Sequence, residues 1–288
     1  MRHLIATSVA LALLATATLT AQPACAADSG SKAFVEFELM TWPEVRDALA
    51  AGKTTALIYT GGVEQRGPQN VNGGHNIMAR AIVKEIALRL GNAIAMPVLP
   101  LTPNNASAEL PGTIGLTNDL LQQVLQRMVE QTITTGFKNV VVMGDHGGGQ
   151  GNGAMNVYRK VATEMNAKYS PSGVHVFYCD QVYAPANAAM EEKLAAQGYP
   201  KAMHGGVHDT SIMMYLDHDG TYVRKALLPT AVGIPVGADG KPHPTADSPR
   251  NGIVGDARRS SAAIGKQALE TKVDYAVKQI RTFIPAKS

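Results

Sequence analysis

Cysteine is nearly absent from this 288-residue chain, which has only Cys25 and Cys179. The first of them lies in a segment expected to be removed, so the mature chain keeps one and an internal disulfide is excluded. Aromatic residues make up 5% and no dense Lys/Arg run occurs, which leaves neither base-stacking platforms nor the basic footprint of a nucleic-acid binder. The formal charge is +3, or about +2 once Arg2 is lost with that segment. Apolar residues at 45% and charged residues at 17% exclude a disordered chain, a coiled coil and a collagen-like repeat. No internal repeat, Walker pattern or clean G-x-G-x-x-G is present. Stability must therefore come from an ordinary apolar core.

The N-terminus has the pattern of an export signal: Met1-Arg2-His3, an apolar run over 4–19, and Ala24-Cys25-Ala26 as a small-x-small cleavage site. The run is short and rich in Ala and Thr, which favours a cleaved leader over a membrane anchor. Gln22-Pro23-Ala24 lacks the aliphatic residue of a lipoprotein box. The expectation is a signal peptide at 1–26, one domain over 27–288, a periplasmic or secreted location, and no membrane contact after cleavage.

Apolar patterning predicts strands at 54–60, 93–99, 139–143 and 174–179. It predicts helices at 76–90, 117–135, 154–167, 187–197, 209–216 and 256–284, with a Pro- and Gly-rich excursion at 228–248. This alternation implies a doubly wound, three-layer α/β/α domain with a mostly parallel sheet. In such folds ligands bind beyond the C-terminal strand ends.

Three loops at that edge carry unusual residues. The first, Gly61 to His75, places Glu64 just past a buried strand and His75 at a helix start; hard oxygen and neutral nitrogen suit Zn²⁺, while helix capping is the competing reading. The second, Gly144-Asp145-His146-Gly147-Gly148-Gly149, puts a histidine at a strand tip, with an anion cradle as the competitor. The third, His204-Gly205-Gly206-Val207-His208-Asp209-Thr210-Ser211, offers an acid–base histidine with an orienting carboxylate, or a capped helix start. Trp42, Met213-Met214 and Cys179 read as packing, His218 and His243 as turn residues, and Asp180 as a supporting group at the same edge.

Taken in order, these loops resemble the creatininase (creatinine amidohydrolase) family. Glu64-Gln65-Arg66-Gly67-Pro68 opens its first motif, Pro111-Gly112-Thr113 matches a P-G-T element, Asp145-His146-Gly147-Gly148 matches N-G-H-G-G, and 204–211 matches H-A-G-x-x-E-T-S. The resemblance implies a metal-dependent hydrolase of amide or lactam C–N bonds in a small molecule, assembled as a homo-oligomer, commonly a hexamer. It also implies two metals, yet here the family's histidine ligand falls on Arg66 and its bridging aspartate on His75. Creatininase's glutamate two positions after the strand-tip histidine falls on Gly148, as it does in the wider family's H-G-G-N form. What remains is one three-ligand site, Glu64, His75 and His146, for Zn, with Mn or Fe as alternatives. The catalytic set carried over is His204 as proton donor, Asp209 or Asp145 as proton acceptor, and Arg66 near a substrate carboxylate or oxyanion. A non-catalytic or differently reacting relative of the same fold is the alternative.

Overall fold

The computed structural model describes residues 34–104 and 107–284; the leader expected at 1–26 lies outside them. Helix α1 (Trp42–Ala50) opens with a reciprocal capping box between Thr41 and Glu44. Strand β1 (Thr55–Thr60), helix α2 (Gly74–Leu90), strand β2 (Ala93–Ala95) and helix α3 (Asn118–Thr135) follow. Then come β3 (Asn139–Gly144), α4 (Val157–Tyr169), β4 (His175–Tyr178), α5 (Ala184–Ala196), α6 (Val207–Leu216) and α7 (Ala262–Phe283).

The four strands form one parallel sheet in the order β2-β1-β3-β4. Its central strands are apolar on both faces, as a sheet covered by helices on both sides requires. Leu57, Tyr59, Val141 and Met143 pack with Ile82 and Ile86 of α2 and with Val273 and Ile280 of α7. Ala56, Ile58, Val140 and Val142 alternate to the other face and meet Leu121, Leu125 and Val129 of α3 with Val161 of α4. The three-layer architecture expected from the alternation is the one observed.

Boundaries differ where local chemistry intervenes. The strand expected over 93–99 stops at Ala95, because Pro97 has no N–H to donate; Leu99 rejoins β1 only as an isolated bridge to Thr60. The last helix begins at Ala262 rather than 256, behind Ser261, whose hydroxyl accepts the Ile264 N–H. The fourth helix starts behind Asn156, which caps Arg159 in the same way. Helix α2 starts at Gly74 and helix α6 at Val207, each two residues before the sequence expectation. Both shifts place chemical residues in a first helical turn, His75 in α2 and His208 with Asp209 in α6.

Candidate metal centre

Strands β1 and β3 deliver the site. Asp145 and His146 leave β3 directly, and the Asp145 N–H continues the ladder by donating to the Thr60 carbonyl. Glu64 lies four residues past β1, its N–H bonded to the Asn72 carbonyl. Helix α2 then carries His75 back over the same edge. The three side chains are buried, and their ligand-capable atoms lie within 4.8 Å of one another. His75 Nε2 is 2.8 Å from Glu64 Oε1, and His146 Nε2 is 3.1 Å from Glu64 Oε2. Asn104 Nδ2 and Ser107 Oγ donate to Glu64 Oε2 at 2.9 and 3.0 Å. Burial alone would raise the Glu64 pKa; the hydrogen bonds to His146 and His75 outweigh it and hold the carboxyl far below the usual range.

Behind His75 stands a relay. Asp145 Oδ2 accepts from His75 Nδ1 at 3.0 Å, while Oδ1 accepts from Lys272 Nζ at 2.9 Å and from the Tyr59 hydroxyl at 3.3 Å. Burial opposes ionisation of Asp145, yet the Lys272 charge and the His75 bond hold its pKa at about 2. His75 is likewise opposed by burial and by the Arg66 charge, and its two carboxylate partners raise its pKa nonetheless. The backing carboxylate is the arrangement that orients a metal-ligating imidazole.

His146 has partners for either tautomer. The Gly148 N–H approaches Nδ1 at 2.9 Å, and Thr102 Oγ1 lies 3.0 Å from the same nitrogen while directing its own proton to the Gly61 carbonyl. Donation from Nδ1 to Thr102 leaves Nε2 free for a cation. Position 148 must be glycine: a Cβ there would fall 1.7 Å from the Pro103 carbonyl oxygen and 2.8 Å from His146 Nδ1. The Gly-rich turn thus serves close packing under a histidine. One carboxylate and two imidazoles with oriented second nitrogens fit a divalent cation.

The fourth motif closes the site from the other side. His204 Nε2 donates to the Gln65 carbonyl at 2.6 Å, an acceptor that fixes the proton there and leaves Nδ1 bare, 3.6 Å from Glu64 Oε1. Gly205 permits this fold-back, with φ +62° and a Cβ position only 2.7 Å from the Arg66 carbonyl oxygen. Asp209 Oδ2 accepts the Gly205 N–H at 2.9 Å. Its Oδ1 lies 2.7 Å from Arg66 Nη2, off the hydrogen-bonding direction. Burial would raise the Asp209 pKa, and the Arg66 charge instead drives it well below the carboxylate range.

These placements revise two roles. Arg66 is fully buried and is not among the residues lining the cavity above the site, so it meets Asp209 rather than a substrate. Asp145 has both oxygens engaged, which makes it a positioning group, while His204 and Asp209 face the cavity from the other side. Lys272, Asn104 and Ser107 escaped the sequence reading. A signal for Lys272 existed: it stands in the row Ala268, Lys272, Ala276, Ile280 on the apolar face of α7, where a charge needs a buried partner. The three carboxylates Glu64, Asp145 and Asp209 face two built-in cations, Arg66 and Lys272, leaving a net negative charge for a bound cation to meet.

Comparison with known proteins agrees with this fold. Residues 38–280 match the family model Creatininase, described as creatinine amidohydrolase. A creatinine amidohydrolase of Pseudomonas putida is 25% identical over 264 residues, 85% of this chain and 96% of that protein. Among solved structures, a mutant creatininase of Zn-Zn type superposes with a TM-score of 0.68 at 24% identity, covering 89% of this chain and 100% of that one. A manganese creatininase gives 0.67 at 24%, over 88% and 100%. A protein from Bacteroides fragilis described as a putative creatinine amidohydrolase gives 0.60 at 17%, over 89% and 99%.

Proposed function

The chain belongs to the creatininase family, and on that premise we propose that it hydrolyses a C–N bond of a small amide or lactam with one divalent metal held by Glu64, His75 and His146. The observation that carries this reading is the convergence of two imidazole Nε2 atoms on one buried carboxylate, with Asp145 locked behind His75. Zinc suits two nitrogens and one oxygen, and the Zn-Zn and Mn forms of the structural neighbours support those two ions as first candidates, with iron third. A single ion is supported by charge: Arg66 stands where the family motif has a ligand and already neutralises Asp209.

An ion held there supplies Lewis acidity, polarising a substrate carbonyl and acidifying water toward a pKa of about 7. The chain's own residues handle the protons. His204, its Nε2–H anchored on the Gln65 carbonyl, presents Nδ1 as the base that takes a proton from the attacking water. The same nitrogen then returns that proton to the departing amine, so the C–N bond breaks to a neutral leaving group. Asp209 stays ionised beside Arg66 and offers its negative charge to the cationic form of His204. Asp145, held by Lys272 and Tyr59, keeps His75 aimed at Glu64.

Elemental analysis of the purified chain tests the reading: about one zinc or manganese per chain is expected, absent from His75→Ala. Two ions per chain would overturn the single-metal form, and none after reconstitution would overturn the hydrolase and favour a non-catalytic binder. Creatinine, the substrate named for the Pseudomonas relative, is the first compound to assay. Export and homo-oligomeric assembly belong to the same proposal. They are supported by the leader pattern at 1–26 and by the exposed side chains of Trp42 and Met155, which a second copy would cover. No helix among the described residues is long and apolar enough to cross a membrane.

A further inference from the structure

The cavity above the metal centre has a volume of about 550 Å³, in the range of sites that enclose a whole small molecule rather than one reacting group. Its far wall is helix α5. Asn187 and Glu191, four residues apart, share one face of that helix, and they line the cavity together with Tyr183 just before it.

The acidic groups lining the cavity differ in one respect. Glu64 faces two histidines, Asp145 is bound by Lys272, and Asp209 lies against Arg66. Glu191 forms no ion pair among the described residues. Lys201, whose charge reaches it through space, directs its Nζ to the Ala238 carbonyl at 2.7 Å. One helical turn away, Asn187 Oδ1 is buried with no hydrogen-bond partner. Burial and the nearby Asp209 raise the Glu191 pKa to about 7 against the pull of the Ala202 N–H, the mark of a carboxyl that lacks a counter-ion. His208, lining the same cavity, adds no positive charge, because burial lowers its pKa to about 4.

We propose that this wall is a docking site for a cationic, N–H-bearing group of the substrate, in the simplest case a primary ammonium, carried at a distance from the scissile bond. An ammonium offers three donors and a positive charge. Asn187 Oδ1 has no partner in the protein, and the Glu191 carboxylate has the Ala202 N–H but no counter-ion, so the ligand supplies a donor to the first and a positive charge to the second. An anionic group would meet an uncompensated carboxylate, and an alkyl group would leave Asn187 Oδ1 bare and Glu191 without a counter-ion. The inference rests on the hydrolase reading for the word substrate, but the wall exists without the metal.

The test uses ω-aminoalkanamides of three to six carbons, each beside the alkanamide in which a methyl replaces the ammonium. Calorimetric affinities are measured at about pH 8, where Glu191 is ionised and the amines are still charged. At least one ammonium compound should bind the wild-type chain about tenfold tighter than its isostere, the scale of one charge-assisted hydrogen bond. Glu191→Gln should cut that preference below about threefold and leave alkanamide affinity unchanged. Asn187→Leu, an independent variant, should weaken the ammonium compound selectively. Equal affinities along the whole series, or a preference retained in Glu191→Gln, overturns the proposal. Zinc content is determined on the same samples and the series repeated after chelation. A preference that persists without zinc upholds the wall even where the hydrolase reading fails. Bound zinc with no preference sinks the wall alone.

Discussion

The two walls of the cavity are built on opposite terms. On the metal side, Glu64 accepts from Asn104 and Ser107 and faces the Nε2 atoms of His75 and His146, His75 has a partner at both nitrogens, and Asp145 is bound by three residues. On the α5 side, Asn187 Oδ1 is buried and unpaired, and Glu191 has no counter-ion among the described residues. A wall whose polar groups are satisfied in advance holds its geometry through a reaction. One whose groups are unsatisfied is completed by whatever enters. The contrast separates chemistry from recognition within one pocket.

Substitutions on each side should therefore fail differently. The largest effect belongs to His204→Ala: turnover falls by about 10² to 10⁴ while metal per chain stays constant. A fall in metal content would move His204 into the ligand set and blur the division. Next comes Lys272→Met, which leaves the buried Asp145 charge without its lysine counter-ion, costing about 3 to 5 kcal/mol in denaturant melts. It should also weaken zinc retention against a chelator by about 10- to 100-fold through the loosened His75. The double variant with Asp145→Asn removes the bare charge and should recover stability without recovering zinc retention. Recovery of both would show that the relay orients nothing.

The smallest effect lies on the α5 wall and runs with pH. Glu191 titrates near 7 in the folded chain and near the ordinary 4.5 when unfolded, so folding favours its protonated form. That contribution is complete below about pH 4.5 and is lost as pH rises toward 7. Glu191→Gln has no such loss. Melting temperatures of the metal-free proteins should therefore diverge in the variant's favour between about pH 5 and pH 8. A parallel pair of curves would mean that Glu191 already has a partner, and the contrast between the walls would be weaker than drawn.

Much of the metal side was legible in the sequence because loops after buried strands are short and their order is dictated by the sheet. Glu64, His146 and His204 follow from motif position, and His75 from its place at a helix start. The three-layer sheet followed from the alternation of apolar runs, although Pro97 shortened β2 in a way that hydropathy does not register. Arg66 was legible as a departure, whereas its partner was not: Asp209 lies 143 positions away, and the contact depends on how α6 enters the site. Lys272 lies 127 positions from Asp145, on a helix that reaches it only through packing against the sheet. The α5 wall was illegible, since Asn187 and Glu191 are ordinary surface residue types until a neighbouring cavity buries them.

The contact between residue 148 and the Pro103 carbonyl limits what substitution can do here. No side chain fits in that place unless the 103 loop moves first, because its Cβ would overlap a backbone oxygen. A histidine in place of Arg66 would strip Asp209 of its counter-charge. Neither position accepts a single exchange without loss elsewhere, one being held by sterics and the other by charge.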